Sequence, residues 1–275
     1  MRDWHIGCVL AFQASQRSSI LLSRSTLRNE IMKIKLPSEL LWLCPIEVDD
    51  LIRLGRDSDG GYVTTRSVVE HADGLLSLGL GNDWSFDEAW HQLKPNDPIH
   101  MYDGDPSGRW DSSTHTLCAE FFTDNKVYYK EHVYPDESSH GTSFEIALER
   151  LGGKNIFLKM DIEGSEVPIM PNILAARDRI IGITLELHHI NRQRDQFKKI
   201  VDDLKQYYKI VHIHGNNSTG LREQGLTNCF ELTFVRNDLI PGNKLRYQIF
   251  LEDLDYSNCL DSDDYEYYFE DPEIL

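Results

Sequence analysis

Short apolar runs recur along the chain, and several are followed by polar stretches with helical spacing. Ile156-Phe157-Leu158-Lys159-Met160 is interrupted only by Lys159, the pattern of a strand buried on both faces of a parallel sheet. Leu75–Leu80 has the same character and leads into Gly79-x-Gly81. Beyond it Phe86, Ala89, Trp90 and Leu93 fall at i, i+3, i+4 and i+7, which predicts a helix. Ser85-Phe86-Asp87-Glu88 fits a capping box and places its start at Ser85. Pro98–Asp103, Lys126–Lys130, Ile180–His189, Tyr208–Asn217 and 228–235 predict five more strands, the last suited to pair antiparallel with the one before it. Further helices are predicted from Thr142 to Leu151 with a Gly152-Gly153 stop, from Glu166 with a break at Pro168 and Pro171, and from Asn191. Val48–Leu54 reads as a helix entering a strand, Asp59-Gly60-Gly61 as a hairpin turn, and residues 104–124 as irregular. Strand-then-helix units closed by two successive strands predict an α/β fold, mostly parallel, with one antiparallel strand near the C-terminus.

A length of 275 residues suits one large α/β domain with extensions. The pattern divides it into an N-terminal arm (1–35), a main domain (36–240) and an acidic C-terminal tail (241–275). The formal charge is −17, and ten acids with no Lys or Arg follow Arg246. That balance disfavours nucleic acid or an anionic membrane as partner. No apolar stretch approaches the roughly 20 residues of a membrane span, and the run Ile6–Phe12 makes a poor signal peptide, so a cytoplasmic protein is expected. The five cysteines are scattered, without zinc or disulfide-framework spacing.

The candidate chemistry sits where strands end, the place where open α/β sheets bind ligands. The loop after Leu78 offers Gly79, Gly81, Asp83, Trp84 and Ser85. A dinucleotide fingerprint needs a third glycine where this chain has Trp84, and both that bulk and the Asp83 charge oppose a pyrophosphate. Asp103 ends the next strand and has the place of a ribose-binding carboxylate; Asp105 competes for that role, and a plain turn Asp is the alternative. Asp161 and Glu163 end the Ile156 strand, where Gly164 lets the chain turn and Ser165 can cap a helix. Glu186 and His188 share one face of a strand, as do His212 and His214, with Asn216 just beyond.

Six ordered stretches carry a family resemblance: Gly79–Asp87, Tyr102-Asp103, Leu158–Glu166, Glu186-x-His188, His212-x-His214-Gly215-Asn216-Asn217 and Glu231-Leu232-Thr233. From about Arg53 to Arg236 the chain resembles the FkbM-type methyltransferases. The resemblance implies a Rossmann-like seven-stranded methyltransferase fold and S-adenosylmethionine as cofactor. It implies further an O-methylation, often of a sugar hydroxyl, on a small-molecule or glycan acceptor. Ser77 and Asp83 depart from an acid and a glycine common in methyltransferase loops. That cofactor carries no phosphate but a cationic sulfonium and an amino group, so an acid beside the loop is acceptable. Gly79, Gly81, Asp83, Trp84, Ser85, Asp103 and Asp161 are its candidate contacts. Methyl transfer from a sulfonium is an in-line displacement, so it needs a positioned hydroxyl and a base or metal that lowers its pKa. His188 is the candidate base, with Asp161 and Glu186 as further catalytic groups and Glu163, His214 and Asn216 on the acceptor. Asp161, Glu186, His188 and His214 are alternatively divalent-metal ligands, and either histidine is alternatively structural. A non-catalytic binding domain of the same fold, or a nucleotide-cofactor sugar-modifying enzyme, is the competing class.

Overall fold

A computed structural model describes residues 32–104, 112–136, 141–190, 192–222 and 225–270. Asp105, Asn191, Cys8 and all but the last four residues of the expected N-terminal arm lie outside them. The strands are β1 (Met32–Lys35), β2 (Leu51–Leu54), β3 (Tyr62–Thr65), β4 (Gly74–Leu78), β5 (Ile99–Tyr102), β6 (Lys126–Tyr129), β7 (His132–Tyr134), β8 (Gly141–Ser143), β9 (Ile156–Met160), β10 (Ile180–His188), β11 (Tyr208–Gly215), β12 (Cys229–Arg236) and β13 (Tyr265–Tyr268). The helices are α1 (Arg66–His71), α2 (Ser85–Leu93), α3 (Ser112–Phe121), α4 (Phe144–Leu151), α5 (Glu166–Ala175) and α6 (Arg194–Lys205).

The seven apolar runs become one sheet in the order β11-β12-β10-β9-β4-β5-β6. Every pairing from β10 to β6 is parallel, and β12 runs antiparallel to both neighbours. β9 and β4 lie at its centre with every residue buried, which is why their sequences read as continuous apolar runs. Helices cover both faces. α4, α5 and α6 close one core with Phe144, Ile169, Ile173, Phe197 and Val201. On the other face α1 and α2 pack Val68, Val69, Phe86 and Trp90 against Phe157 of β9. Among the described residues no helix is long and apolar enough to cross a membrane.

Several local expectations change. The stretch expected to be irregular holds α3, whose Cys118 packs with Leu80 and Met101; it lacks the strong apolar stripe by which a helix is read from sequence. Leu51–Leu54 is a strand pairing with β3 around the Gly60-Gly61 turn, and the helix expected to precede it from Val48 does not form. The Ser85 capping box does not form: Asp83 Oδ1 accepts from Ser85 N at 2.9 Å, and Glu88 accepts from Trp84 Nε1 at 3.0 Å. Ser165 precedes α5 without a side-chain cap, and Glu166 Oε1 accepts from Gly164 N instead. Ser143 caps α4 through Ile146 N, as its position suggests.

The segment expected as an acidic tail is built into the fold over residues 245–270. Asp255 is buried against His212 of β11, Asn217 holds the Cys259 amide and the Ser262 carbonyl, and β13 pairs with β1.

Candidate active site

The parallel strands β4, β5 and β9 end at a cleft of about 520 Å³. Its floor is the turn after β4, and the geometry explains the glycine there. Gly79 has φ +85°, and a Cβ on it would stand 1.6 Å from the Asp161 carbonyl oxygen. The turns after β4 and β9 therefore touch backbone to backbone, with Asp161 N donating to Leu78 O at 2.9 Å. Lys159, buried in the middle of β9, donates from Nζ to the Gly79 carbonyl at 2.6 Å and fixes the turn from below. From the side, Asp103 Oδ2 accepts from Leu80 N and Gly81 N, both at 3.0 Å.

The β2–β3 hairpin forms a second wall. Arg56 meets Asp83 Oδ2 at 3.2 Å, its amide donates to Ser85 Oγ, and Ser58, Asp59 and Gly60 line the cleft. Of the loop residues expected at the cofactor, Gly79, Gly81 and Asp83 line the cleft with Asp103 and Asp161. Trp84 and Ser85 do not line it; they shape the start of α2.

Beyond Asp161 lies a carboxylate–imidazole cluster on the ends of β9, β10 and β12. Tyr62 OH donates to Asp161 Oδ2 at 3.1 Å; burial and the surrounding carboxylates push that phenol's pKa well up, so it keeps its proton. His188 Nδ1 lies 2.9 Å from Glu166 Oε1, and its Nε2 lies 3.4 Å from Glu186 Oε2 and 3.5 Å from Glu163 Oε2. Burial opposes a charge on His188, but the Glu166 hydrogen bond and the Glu186 carboxylate outweigh it and raise its pKa to about 9. Glu186 is itself pushed well above the usual carboxylate range, first by burial and then by Asp161 and Glu231. Glu163, at φ +56° and with its side chain 68% exposed, lines the cleft.

His214 and Asn216, expected on the acceptor, are buried behind this cluster and do not line the cleft. Asn216 Nδ2 donates to Glu186 Oε1 at 2.6 Å, and His214 lies between Glu231 and Asp264. The four expected metal ligands are not gathered at one point. Among the described residues, donor atoms of Glu186 and His188 come within 4.8 Å of each other together with Cys229, and those of Glu186 do so with Asp59 and Glu231. Burial pushes the Cys229 thiol far up, which disfavours a thiolate. Asp59, Tyr62, Lys159, Glu231 and Asn258 are site groups to which the sequence reading assigned no individual role. Asp59 and Tyr62 belong to the Asp-Gly-Gly-Tyr turn, and Glu231 sits opposite both Glu186 and His214 in the strand register.

Behind the loop, Asp87 of α2 is 2% exposed and accepts from Ser77 Oγ at 3.3 Å. Burial raises its pKa from 3.8 to about 6 against the pull of Lys159. The folded chain therefore holds a proton there that the unfolded chain loses first, and stability falls as pH rises from 3.8 through 6. The gap corresponds to about 3 kcal/mol. Asp87→Asn is expected to remove that fall. Urea unfolding at pH 4 and pH 7 checks it, and equal pH dependence in wild type and variant would refute it.

A seven-stranded sheet in this order, with a glycine-floored cleft at the carboxyl ends of its central strands, is the architecture of the Rossmann-like methyltransferases. Within that class the chain belongs to the FkbM methyltransferase family, whose "Methyltransferase FkbM domain" matches residues 62–213. No curated protein is similar enough to count as a match. Similar solved structures include the fibrillarin/Nop5p complex (12% identity, 64% of this chain and 77% of that one, TM-score 0.39). They also include the 23S rRNA methyltransferase ErmE (15%, 64% and 68%, TM-score 0.38). A third is precorrin-6y C5,15-methyltransferase from Geobacter metallireducens GS-15 (18%, 62% and 84%, TM-score 0.36).

Proposed function

We propose that this methyltransferase takes its methyl group from S-adenosylmethionine and delivers it to a hydroxyl oxygen, on a sugar or other small-molecule or glycan acceptor. The observation that carries the cofactor reading is the backbone-to-backbone turn at Gly79, with Asp103 across it and Asp161 beside it on one cleft wall. Asp103 is the ribose-side carboxylate by its place at the end of β5. Asp83, Asp161 and Glu163 give the cleft an anionic lining suited to a sulfonium and an ammonium and hostile to a pyrophosphate.

In the transfer, the acceptor oxygen attacks the methyl carbon as the carbon–sulfur bond breaks, leaving the neutral thioether. The hydroxyl proton passes to Asp161 on the cleft wall; His188, which its carboxylate neighbours keep protonated, lends that side its positive charge in place of the base role expected from sequence, with Glu186 beside it. The Glu-rich surroundings and the chain's charge of −17 support a neutral or cationic acceptor over a polyphosphate. Calorimetric titration with S-adenosylmethionine, S-adenosylhomocysteine and NAD tests the reading. Saturable binding of the first two without NAD is expected; binding of NAD alone would overturn it.

A further inference from the structure

Arg56 belongs to the β2–β3 hairpin and Asp83 to the loop after β4, yet the two form an ion pair where both line the cleft. Arg56 Nε lies 3.2 Å from Asp83 Oδ2. The surrounding contacts fix hairpin and loop against each other at this point. Ser85 Oγ accepts from the Arg56 amide and donates to Asp83 Oδ2, both at 3.2 Å, while Ser85 N donates to Asp83 Oδ1. A Cβ on Gly60 would stand 2.1 Å from Asp83 Oδ2, so the hairpin turn closes down on that carboxylate.

Stability does not account for the pair, because the Arg56 side chain is 55% exposed and an ion pair so wet holds a fold only weakly. Among the described residues Lys159 is the other lysine or arginine lining the cleft, and it is spent in the floor, buried with Nζ on the Gly79 carbonyl. The place of the pair along the loop selects the ligand group. In the sheet β4 lies between β9 and β5. Asp103 holds the loop from the β5 side, and the hairpin reaches the end of β9 on the other side through Tyr62 and Asp161. A ligand whose ribose lies at Asp103 therefore carries its far end to the hairpin side, where Arg56 and Asp83 stand.

We propose that Arg56 and Asp83 together bind the amino-acid end of S-adenosylmethionine, Arg56 taking its carboxylate and Asp83 its ammonium. A plain anion at this place meets the Asp83 charge, and a plain cation meets Arg56. The pair selects a group that carries both charges side by side, which is the chemistry of an α-amino acid. The planar guanidinium also offers a fork of N–H donors matched to one carboxylate, which a lysine does not. The hairpin thereby becomes part of the cofactor site and not only a wall beside it. This assignment rests on the S-adenosylmethionine reading of the cleft.

Calorimetric titration of the full chain with S-adenosylhomocysteine, decarboxylated S-adenosylmethionine and 5′-methylthioadenosine tests it. The first ligand has both the carboxylate and the ammonium, the second lacks the carboxylate, and the third lacks both. Arg56→Ala is expected to weaken S-adenosylhomocysteine about ten- to a hundredfold without weakening the other two. Asp83→Asn is expected to weaken the first two and spare 5′-methylthioadenosine. Arg56 is exposed on the hairpin, so its variant carries the test if Asp83→Asn fails to fold. Equal weakening of all three ligands by Arg56→Ala would make Arg56 a merely structural part of the wall and overturn the proposal, as would unchanged S-adenosylhomocysteine binding. Either result, with wild type binding these ligands, leaves the cofactor reading standing. Wild type that binds none of the three would overturn the cofactor reading itself.

Discussion

Gly79→Ala is expected to abolish measurable cofactor binding while costing about 3 kcal/mol or more of stability. Two effects add. A side chain at φ +85° costs about 1–2 kcal/mol on conformation alone. The Cβ must also clear the Asp161 carbonyl oxygen, which it would otherwise meet at 1.6 Å. Nothing flexible stands there to yield. The contact is backbone, Gly79 N donates to Tyr102 O at 2.9 Å, and the Gly79 carbonyl is held by Lys159. The β4 and β9 turns must separate, and both line the cleft. Gly152→Ala is the control: φ there is +76°, but nothing lies within 4 Å of the added atom. The difference between the two variants isolates the clash. Thermal unfolding and calorimetric titration with S-adenosylmethionine check it. Gly79→Ala that melts with Gly152→Ala and binds cofactor like wild type would refute the account.

The sheet was legible because its strands are buried on both faces. Ile156–Met160 and Leu75–Leu78 leave little room for another reading, and all seven predicted strands join the central sheet. The cleft followed from the same logic, since Gly79, Asp103 and Asp161 sit at the ends of those strands. Groups that meet through distant pairing were harder to see. Glu231 reads as one acid in an apolar strand until the antiparallel register sets it opposite both Glu186 and His214. His214 and Asn216 share a strand end with ligand-facing positions, but β11 is the sheet's outer strand, and the C-terminal segment covers that end of it. That segment misled for a physical reason. Its ten acids after Arg246 read as a solvated tail, because composition does not show that Asp255 and Asp264 face histidines. The loop caps were likewise reassigned locally: Asp83, drawn to Arg56, does what Ser85 was expected to do.

Asp255→Ala is expected to destabilise the chain by about 3–5 kcal/mol and to loosen residues 245–270 first. The side chain is fully buried, with Oδ1 at 2.8 Å from His212 Nε2 and Oδ2 accepting from Leu251 N at 2.8 Å. Burial opposes its ionisation, but His212 and the Leu251 amide hold its pKa below the usual range, while burial keeps His212 neutral and donating. Alanine strands both donors in the interior, at about 1–3 kcal/mol each. Asp255→Asn retains one acceptor and is expected to lose about half as much. The consequence reaches the site, because the same segment carries Asn258 to Asp59 and Glu231, and Asp264 to His214. It also reaches the hairpin: the Arg53 guanidinium donates to the Arg56, Ser58 and Leu254 carbonyls, coupling the cleft's second wall to the C-terminal segment. Hydrogen exchange is therefore expected to rise over 245–270 and the hairpin while β4 and β9 stay protected. Urea unfolding gives the magnitude. A midpoint within about 0.5 kcal/mol of wild type, with unaltered exchange in that segment, would show that the His212–Asp255 contact does not hold the C-terminal segment in place.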